Sequence, residues 1–223
     1  MLTDVPSWMS NSANWIDGDP RKTFAELWVR KVAERYASSA SLVGFQIWNE
    51  PNDPSNPDNT LLGFIDNAGN YVSMLSLAHA ASKQVAPSKL VLNAATTAIN
   101  QNFPLTVDYN RAMRDAGAEN YTDRWAIHYY GKQFENVARG GGVADFLNGL
   151  NMGVWVTESG GQGVNNQLAY VEQVWPYLRE KVPSIERFYY YQYAEATDPL
   201  TSYGLRTLQP NFPVSDLYIY LRN

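Results

Sequence analysis

Cysteine is absent from the chain, so no disulfide can staple it and no thiolate can act as nucleophile or metal ligand. The redox compartment stays open. Histidine is scarce: His79 and His128 are the only two, too few without cysteine for the nitrogen- and sulfur-rich sites that transition metals take. Basic residues are outnumbered, 17 Lys and Arg against 22 Asp and Glu, for a net charge of -5. A polyanion needs clustered Lys and Arg, so no nucleic acid partner is expected. No apolar run approaches the roughly 20 residues that cross a bilayer, and no membrane partner is expected either. The opening MLTDVPSW lacks the basic and apolar blocks of a signal peptide, so none is expected in this chain and its localisation is left unassigned. Glycine-rich phosphate loops are missing too: neither GxGxxG nor GxxxxGK[ST] occurs.

What is present is hydrophobic and aromatic. Hydrophobic residues make up 45% of the 223 positions and charged residues 17%, the balance of a globular chain with a full core. Seven Trp and fifteen Tyr are conspicuous. Aromatic planes stack on the apolar faces of sugar rings while their polar tips hydrogen-bond, although core packing accounts for most aromatics in any protein.

Short β-rich runs alternate with longer helical patterns. Strands are expected near Leu2, Leu42, Leu90, Trp125, Val154 and Glu186. Between them, Thr23-Phe-Ala-Glu26 reads as a capping box after Asp19-Pro20, opening a helix with Phe24, Trp28 and Val32 on one face. Tyr71 to Val85 reads as a second helix, stopped by Pro87. Asp108 is expected to cap a third, closed by Gly117. Leu168, Val171, Trp175 and Leu178 line a fourth, in which Pro176 predicts a kink. Pro213-Val-Ser-Asp begins the last.

Strand and helix alternating at this rhythm imply right-handed βαβ crossovers and a parallel sheet. Without a phosphate loop after the first strand, a (β/α) barrel is preferred to a doubly wound sheet. The expected fold is α/β, a single incomplete (β/α)8 TIM-barrel domain over 1–223. At roughly 37 residues per repeat, eight units need about 300 residues and this chain holds about six.

Active sites of such barrels lie at the C-terminal ends of the strands, and two acids are expected there. Glu50 ends Gly44-Phe-Gln-Ile-Trp-Asn-Glu50 and is followed by Pro51; Glu158 ends Val154-Trp-Val-Thr-Glu158 and is followed by Ser159-Gly160. A lone strand-end Glu is most often a surface or ion-paired acid. Two in matching settings, three repeats apart, suit a retaining glycosidase, whose acid/base and nucleophile must lie at roughly 5–5.5 Å.

Here the motifs carry a resemblance. Ile47-Trp48-Asn49-Glu50-Pro51-Asn52 resembles the fourth-strand acid/base signature of clan A glycoside hydrolases, and Trp155-Val-Thr-Glu158-Ser-Gly resembles their seventh, nucleophile strand. Ala126-Ile-His128-Tyr-Tyr130 is similar to the clan's sixth strand with its H-x-Y pattern. The Trp8 turn resembles the third-strand end, and Tyr189 to Glu195 with Tyr203-Gly-Leu resembles the eighth strand and its exit. The order is similar to that of families 39 and 5, and the six units then correspond to strands three to eight. The resemblance implies a retaining glycoside hydrolase cleaving β-glycosidic bonds of an oligo- or polysaccharide, with no cofactor. Glu50 would be the acid/base and Glu158 the nucleophile. Asn49 would bond the sugar 2-hydroxyl, Tyr130 the nucleophile, and His128 would line the same subsite. Trp8 would bind substrate, and Tyr193 would offer an aromatic platform. His128 and Tyr130 share strand parity and must face one side together. The alternative is a truncated, non-catalytic carbohydrate-binding pseudoenzyme, or a fragment needing an N-terminal half.

A sheet of strands three to eight has two edges, around Asp4 and around Tyr190, and unpaired edges are templates for association. A homodimer covering the open barrel side is expected in preference to closure into a tighter six-stranded barrel. Light scattering at micromolar concentration checks this: a species of twice the 25.1 kDa chain mass is expected, and a fully active monomer overturns it.

Overall fold

The structure, a computed structural model, describes residues 1–196, 198–208 and 213–223. They group into two compact units: residues 1–97, 104–126 and 151–153 form the first, and 98–103, 127–150 and 154–223 the second.

In the first unit, strand β1 (Gly44–Gln46) pairs in parallel with β2 (Leu90–Leu92), in the register Gly44↔Leu90 to Gln46↔Leu92. Glycine is required at 44, because a Cβ there would meet the Leu90 carbonyl oxygen at 2.5 Å. Parallel bridges extend the ladder on both sides, Leu2 to Ile47 and Leu92 to Arg124. The strand expected at Leu2 is thus reduced to one bridge. Its run is broken where Asp4 turns to a left-handed φ of 63° and Pro6 offers no N–H.

The first helical segment runs from α1 (Pro20–Thr23) through a π-helical stretch at Phe24–Val29 into α2 (Arg30–Tyr36). Its cap differs from the expected capping box. Asp19 is the N-cap, its carboxylate accepting from the Arg21 and Lys22 N–H groups, with Pro20 at the first helical position. Thr23 instead lies inside the helix and donates to the Asp19 carbonyl at 2.7 Å.

After α3 (Pro57–Leu62), the long α4 (Ala68–Val85) buries Tyr71, Val72, Met74, Leu75, Ala78 and Ala81, a stripe at helical spacing. Helix α5 (Leu105–Asp115) starts at Pro104, so Asp108 is not its cap; it lies in the first turn and pairs with Arg111 at 2.7 Å. Gly117, at φ 91°, follows the helix end as expected.

The second unit carries the sheet β3 (Trp125–Tyr130), β4 (Val154–Gly160) and β5 (Ile185–Tyr190), in that order. The division between units falls within β3, after Ala126. Helices α6 (Phe134–Ala138) and α7 (Val143–Asn148) follow β3, and α8 (Gln167–Lys181) joins β4 to β5, which are parallel. Helix α8 continues through Pro176 and buries Tyr170, Val174 and Leu178, a face rotated slightly from the one expected. A small parallel pair, β6 (Ala194–Glu195) and β7 (Arg206–Thr207), precedes α9 (Asp216–Arg222), which Ser215 caps.

One carboxylate ties the first unit together. Asp123 Oδ2 accepts from Lys83 Nζ on α4 and from the Val91 N–H of β2, each at 2.7 Å. Burial works to raise the Asp123 carboxyl, but the bonds from Lys83 and Val91 outweigh it and hold the group below its ordinary value. A depressed carboxyl contributes stability that is complete above the unfolded value of about 3.9 and is lost as pH falls through the lower folded value. Asp123→Asn should therefore cost about 1–3 kcal/mol near neutral pH. Urea unfolding should show the gap to the parent closing as the pH falls below the ordinary carboxylate range.

Candidate active site

Glu158 lies within β4, two residues before its end, and its side chain is 14% exposed. On the neighbouring strand, the Tyr130 hydroxyl donates to Glu158 Oε2 at 2.8 Å, and His128 Nε2 stands 3.6 Å from Oε1. The parity argument holds: residues 128 and 130 reach the same carboxylate from one face of β3. His128 is fully buried, its carbonyl accepting from the Ile99 N–H at 2.9 Å.

Tyr130 is itself held at its backbone. The fully buried Asn100 donates through Nδ2 to the Tyr130 carbonyl at 2.7 Å and accepts the Tyr130 N–H through Oδ1 at 3.3 Å. Its ring makes edge contacts with Tyr203 at 5.1 Å and Tyr191 at 6.1 Å, and those two rings lie 6.4 Å apart. Gly160 leaves room for this, since a Cβ there would meet Tyr203 Cδ1 at 3.0 Å and the Tyr191 oxygen at 2.9 Å. Burial, and then the charge of Glu195, raise the Tyr203 hydroxyl and keep it neutral. Glu195 in turn accepts from the Tyr203 and Gly204 N–H groups, at 2.7 and 3.1 Å, fixing the loop that brings Tyr203 in. The sequence does not single out Tyr191 or Tyr203; their only trace in it is the likeness of Tyr189 to Glu195 and of Tyr203-Gly-Leu to an eighth strand and its exit.

On the other side of β4, Ser159 accepts from the Trp175 indole at 3.1 Å and donates to the Tyr189 carbonyl at 3.0 Å. This fastens the strand that carries Glu158 to β5 and to α8.

In the first unit, Glu50 does not end a strand. Strand β1 stops at Gln46, the ladder is carried one residue further by Ile47, and Glu50 lies on the loop beyond. Two residues there take left-handed backbone, Trp48 at φ 75° and Glu50 at φ 44°. Each costs on the order of 1–3 kcal/mol and persists only where its surroundings over-determine it. They do. The Trp48 N–H donates to the Leu2 carbonyl at 2.7 Å, and its ring is fully buried, edge-on to Phe24 at 5.1 Å and Phe64 at 5.7 Å. The Glu50 N–H donates to the Ala95 carbonyl at 2.9 Å. Asn59 of α3 accepts the Trp48 indole N–H at 2.7 Å and donates to the carbonyls of Glu50 and Asp53, both at 2.8 Å. Asn52 exchanges two bonds with Thr97, through its side-chain amide, at 2.8 and 2.9 Å. The Asn49 side-chain oxygen is buried with no partner among the described residues.

The two other aromatic residues expected to bind substrate are open to solvent, Trp8 at 39% and Tyr193 at 63% exposure. His79, read as structural, sits on α4 with its ring 6.3 Å from Tyr121.

The sequence matches the glycosyl hydrolase catalytic core family over residues 18–205. No curated protein matches it. Among solved structures it is similar to a family 39 glycoside hydrolase from Bacteroides cellulosilyticus WH2, at 19% identity and a TM-score of 0.53, covering 84% of this chain and 41% of that one. The catalytic domain of GH30 xylanase C from Talaromyces cellulolyticus gives 17% and 0.58, over 89% and 44%. A monomeric β-xylosidase from Caulobacter crescentus CB15 gives 16% and 0.55, over 82% and 43%. The chain thus spans less than half the length of these structures. At these identities the likeness establishes the fold, an incomplete (β/α)-barrel type, and the family match over most of the chain establishes the rest: this chain belongs to the glycosyl hydrolase catalytic core family.

Proposed function

We propose that the chain is a single catalytic domain that hydrolyses β-glycosidic bonds of an oligo- or polysaccharide with retention, Glu158 acting as nucleophile and Glu50 as acid/base. The observation that carries this is the Tyr130 hydroxyl donating to Glu158 at 2.8 Å inside a cage of tyrosines. A hydrogen-bonded, largely buried carboxylate with a fixed orientation suits attack on a carbon centre. A surface acid in an ion pair does not have this setting.

In the proposed reaction a Glu158 oxygen forms a bond to the anomeric carbon as the bond to the leaving oxygen breaks, and the Glu50 proton passes to that oxygen. The developing oxocarbenium charge is balanced by the Glu158 carboxylate. Water then attacks the glycosyl-enzyme, its proton goes to Glu50, and Glu158 is released unchanged. Asn49 binds the 2-hydroxyl, the contact that strengthens most as the transition state forms, and its unpartnered amide oxygen supports such a role. His128 lines the subsite, and Trp8 and Tyr193 offer exposed aromatic faces for stacking along the chain of sugars.

Two families of experiment test this on aryl β-xylosides and β-glucosides. Glu158→Ala should lower turnover on the order of 10⁴- to 10⁶-fold, with partial rescue by azide, which attacks in place of the lost carboxylate. In kcat/KM, which reports formation of the glycosyl-enzyme, Glu50→Ala should nearly spare dinitrophenyl glycosides and strongly lower phenyl glycosides, because only the second need a proton to leave. NMR of the first product formed should show the β-anomer. Inverted product, or equal losses of Glu50→Ala on both leaving groups, sinks the assignment. Sugar binding without turnover by the parent chain would make it a carbohydrate-binding module instead.

Tyr130→Phe keeps the ring contacts and removes one hydrogen bond to a charged group. Turnover should fall about 10- to 150-fold with little change in Tm, as loss of a bond worth about 1.5–3 kcal/mol predicts. A KM effect alone would count against the bond to Glu158 being made in the transition state.

A further inference from the structure

We infer that Asn59 is a positioning residue for Glu50: it sets the direction of the acid/base by clamping the left-handed loop from which that side chain projects. The inference rests on the proposed role of Glu50.

Asn59 is fully buried at the third position of α3, and its amide is saturated. Oδ1 takes the Trp48 indole proton, one amide hydrogen goes to the Glu50 carbonyl and the other to the Asp53 carbonyl. The residue therefore touches the loop at both left-handed positions, once through the Trp48 side chain and once through the Glu50 backbone. The Glu50 carbonyl also accepts from the Asp53 N–H at 2.9 Å, and its N–H is held by Ala95. With both peptide groups of Glu50 pinned, only the side-chain torsions remain free to move the carboxyl. An acid/base must meet the leaving oxygen within hydrogen-bonding reach, so a backbone that relaxes toward an ordinary φ swings the carboxyl away. The α3 helix is short, and its own capping shows why Asn59 is available for this. Asn56 caps the start, accepting from the Asp58 N–H, and Gly63 closes the end at φ 71°. The Asn59 side chain is not used by the helix that carries it.

A residue that only supported the fold would lower activity on every substrate alike. One that aims the acid lowers it where protonation matters. The readout is the ratio of kcat/KM, which reports only glycosyl-enzyme formation, on 2,4-dinitrophenyl and phenyl β-xylosides, or β-glucosides if those are the ones hydrolysed, with Glu50→Ala measured alongside. For Asn59→Ala and the near-isosteric Asn59→Asp, kcat/KM on the phenyl glycoside should fall about 10- to 100-fold and on the dinitrophenyl glycoside less than about 3-fold. Equal losses on both substrates in the Asn59 variants, while Glu50→Ala shows the leaving-group difference, overturn the positioning role and leave the acid/base assignment standing. No such difference in Glu50→Ala overturns that assignment and this inference with it. Failure of both Asn59 variants to fold would also overturn it, because the residue would then serve the fold and not the aim of the acid.

Discussion

The burial of one indole in a left-handed backbone sets the geometry of the first unit. Trp48 is among the largest fully buried side chains, and at φ 75° its backbone is in a region that bulky residues rarely enter. The conformation is compensated because the ring completes an edge-to-face series from Phe24 through Trp48 and Phe64 to Tyr71, with centroids 5.1 to 5.7 Å apart. Each such contact adds about 0.5–1.5 kcal/mol beyond area burial, enough together to offset the strain. Tyr71 closes the series, its hydroxyl donating to the Ile47 carbonyl at 2.9 Å and accepting from the Ala94 N–H at 2.5 Å. The helix that carries Tyr71 is thereby locked to the ends of two strands at once. Burial raises that phenol well above its ordinary value and keeps it a donor near neutral pH.

The same problem recurs at other strand ends and is solved the same way. A parallel strand that stops leaves peptide groups without a ladder partner, and buried peptide groups must be satisfied. Fully buried asparagines do this repeatedly. Asn93 accepts the Ala126 N–H at 2.8 Å and donates to the Ala94 carbonyl at 2.8 Å. In the second unit Asn100 clasps the backbone of Tyr130. An amide suits this work because it offers an acceptor and two donors from one rigid plane, imitating the peptide group it replaces. A carboxylate would bring a charge, and a hydroxyl would offer too few donors.

This explains which parts were legible in the sequence. The strands from Leu42 onward were readable because each is a short apolar, β-branched or aromatic run bounded by turn residues. The two acids were readable because NEP and TES are compact motifs. The caps were less so. Thr23-Phe-Ala-Glu26 and Asp19-Pro20 both signal a helix start, and they compete; proline at the first helical position decides for Asp19, since that ring cannot sit deeper in the helix. Asp108 was misread for a related reason, the helix starting one turn earlier at Pro104. Asn59 was invisible. In Pro51-Asn-Asp-Pro-Ser-Asn-Pro-Asp-Asn59 every residue reads as turn chemistry, and nothing in the pattern says which amide turns inward.

The tyrosine cage follows from a different constraint. Tyr130, Tyr191 and Tyr203 come from β3, from just beyond β5 and from the loop after β6, and they converge because Gly160 at the end of β4 has no side chain. An aliphatic residue there would strike Tyr203 and push its ring off Tyr130. The cage then could not hold the phenol that donates to Glu158. The glycine after Thr-Glu-Ser is thus part of the means by which the carboxylate is oriented, although it touches no reacting atom. The many tyrosines that composition leaves ambiguous resolve accordingly. Tyr71, Tyr129 and Tyr170 are buried core residues whose hydroxyls each reach a backbone carbonyl, a second group is spent around Glu158, and the Tyr193 ring remains exposed. What distinguishes these groups is where the hydroxyl finishes: on a peptide carbonyl for Tyr71 and Tyr170, which helices carry, and for Tyr129 of β3, but on a carboxylate for Tyr130.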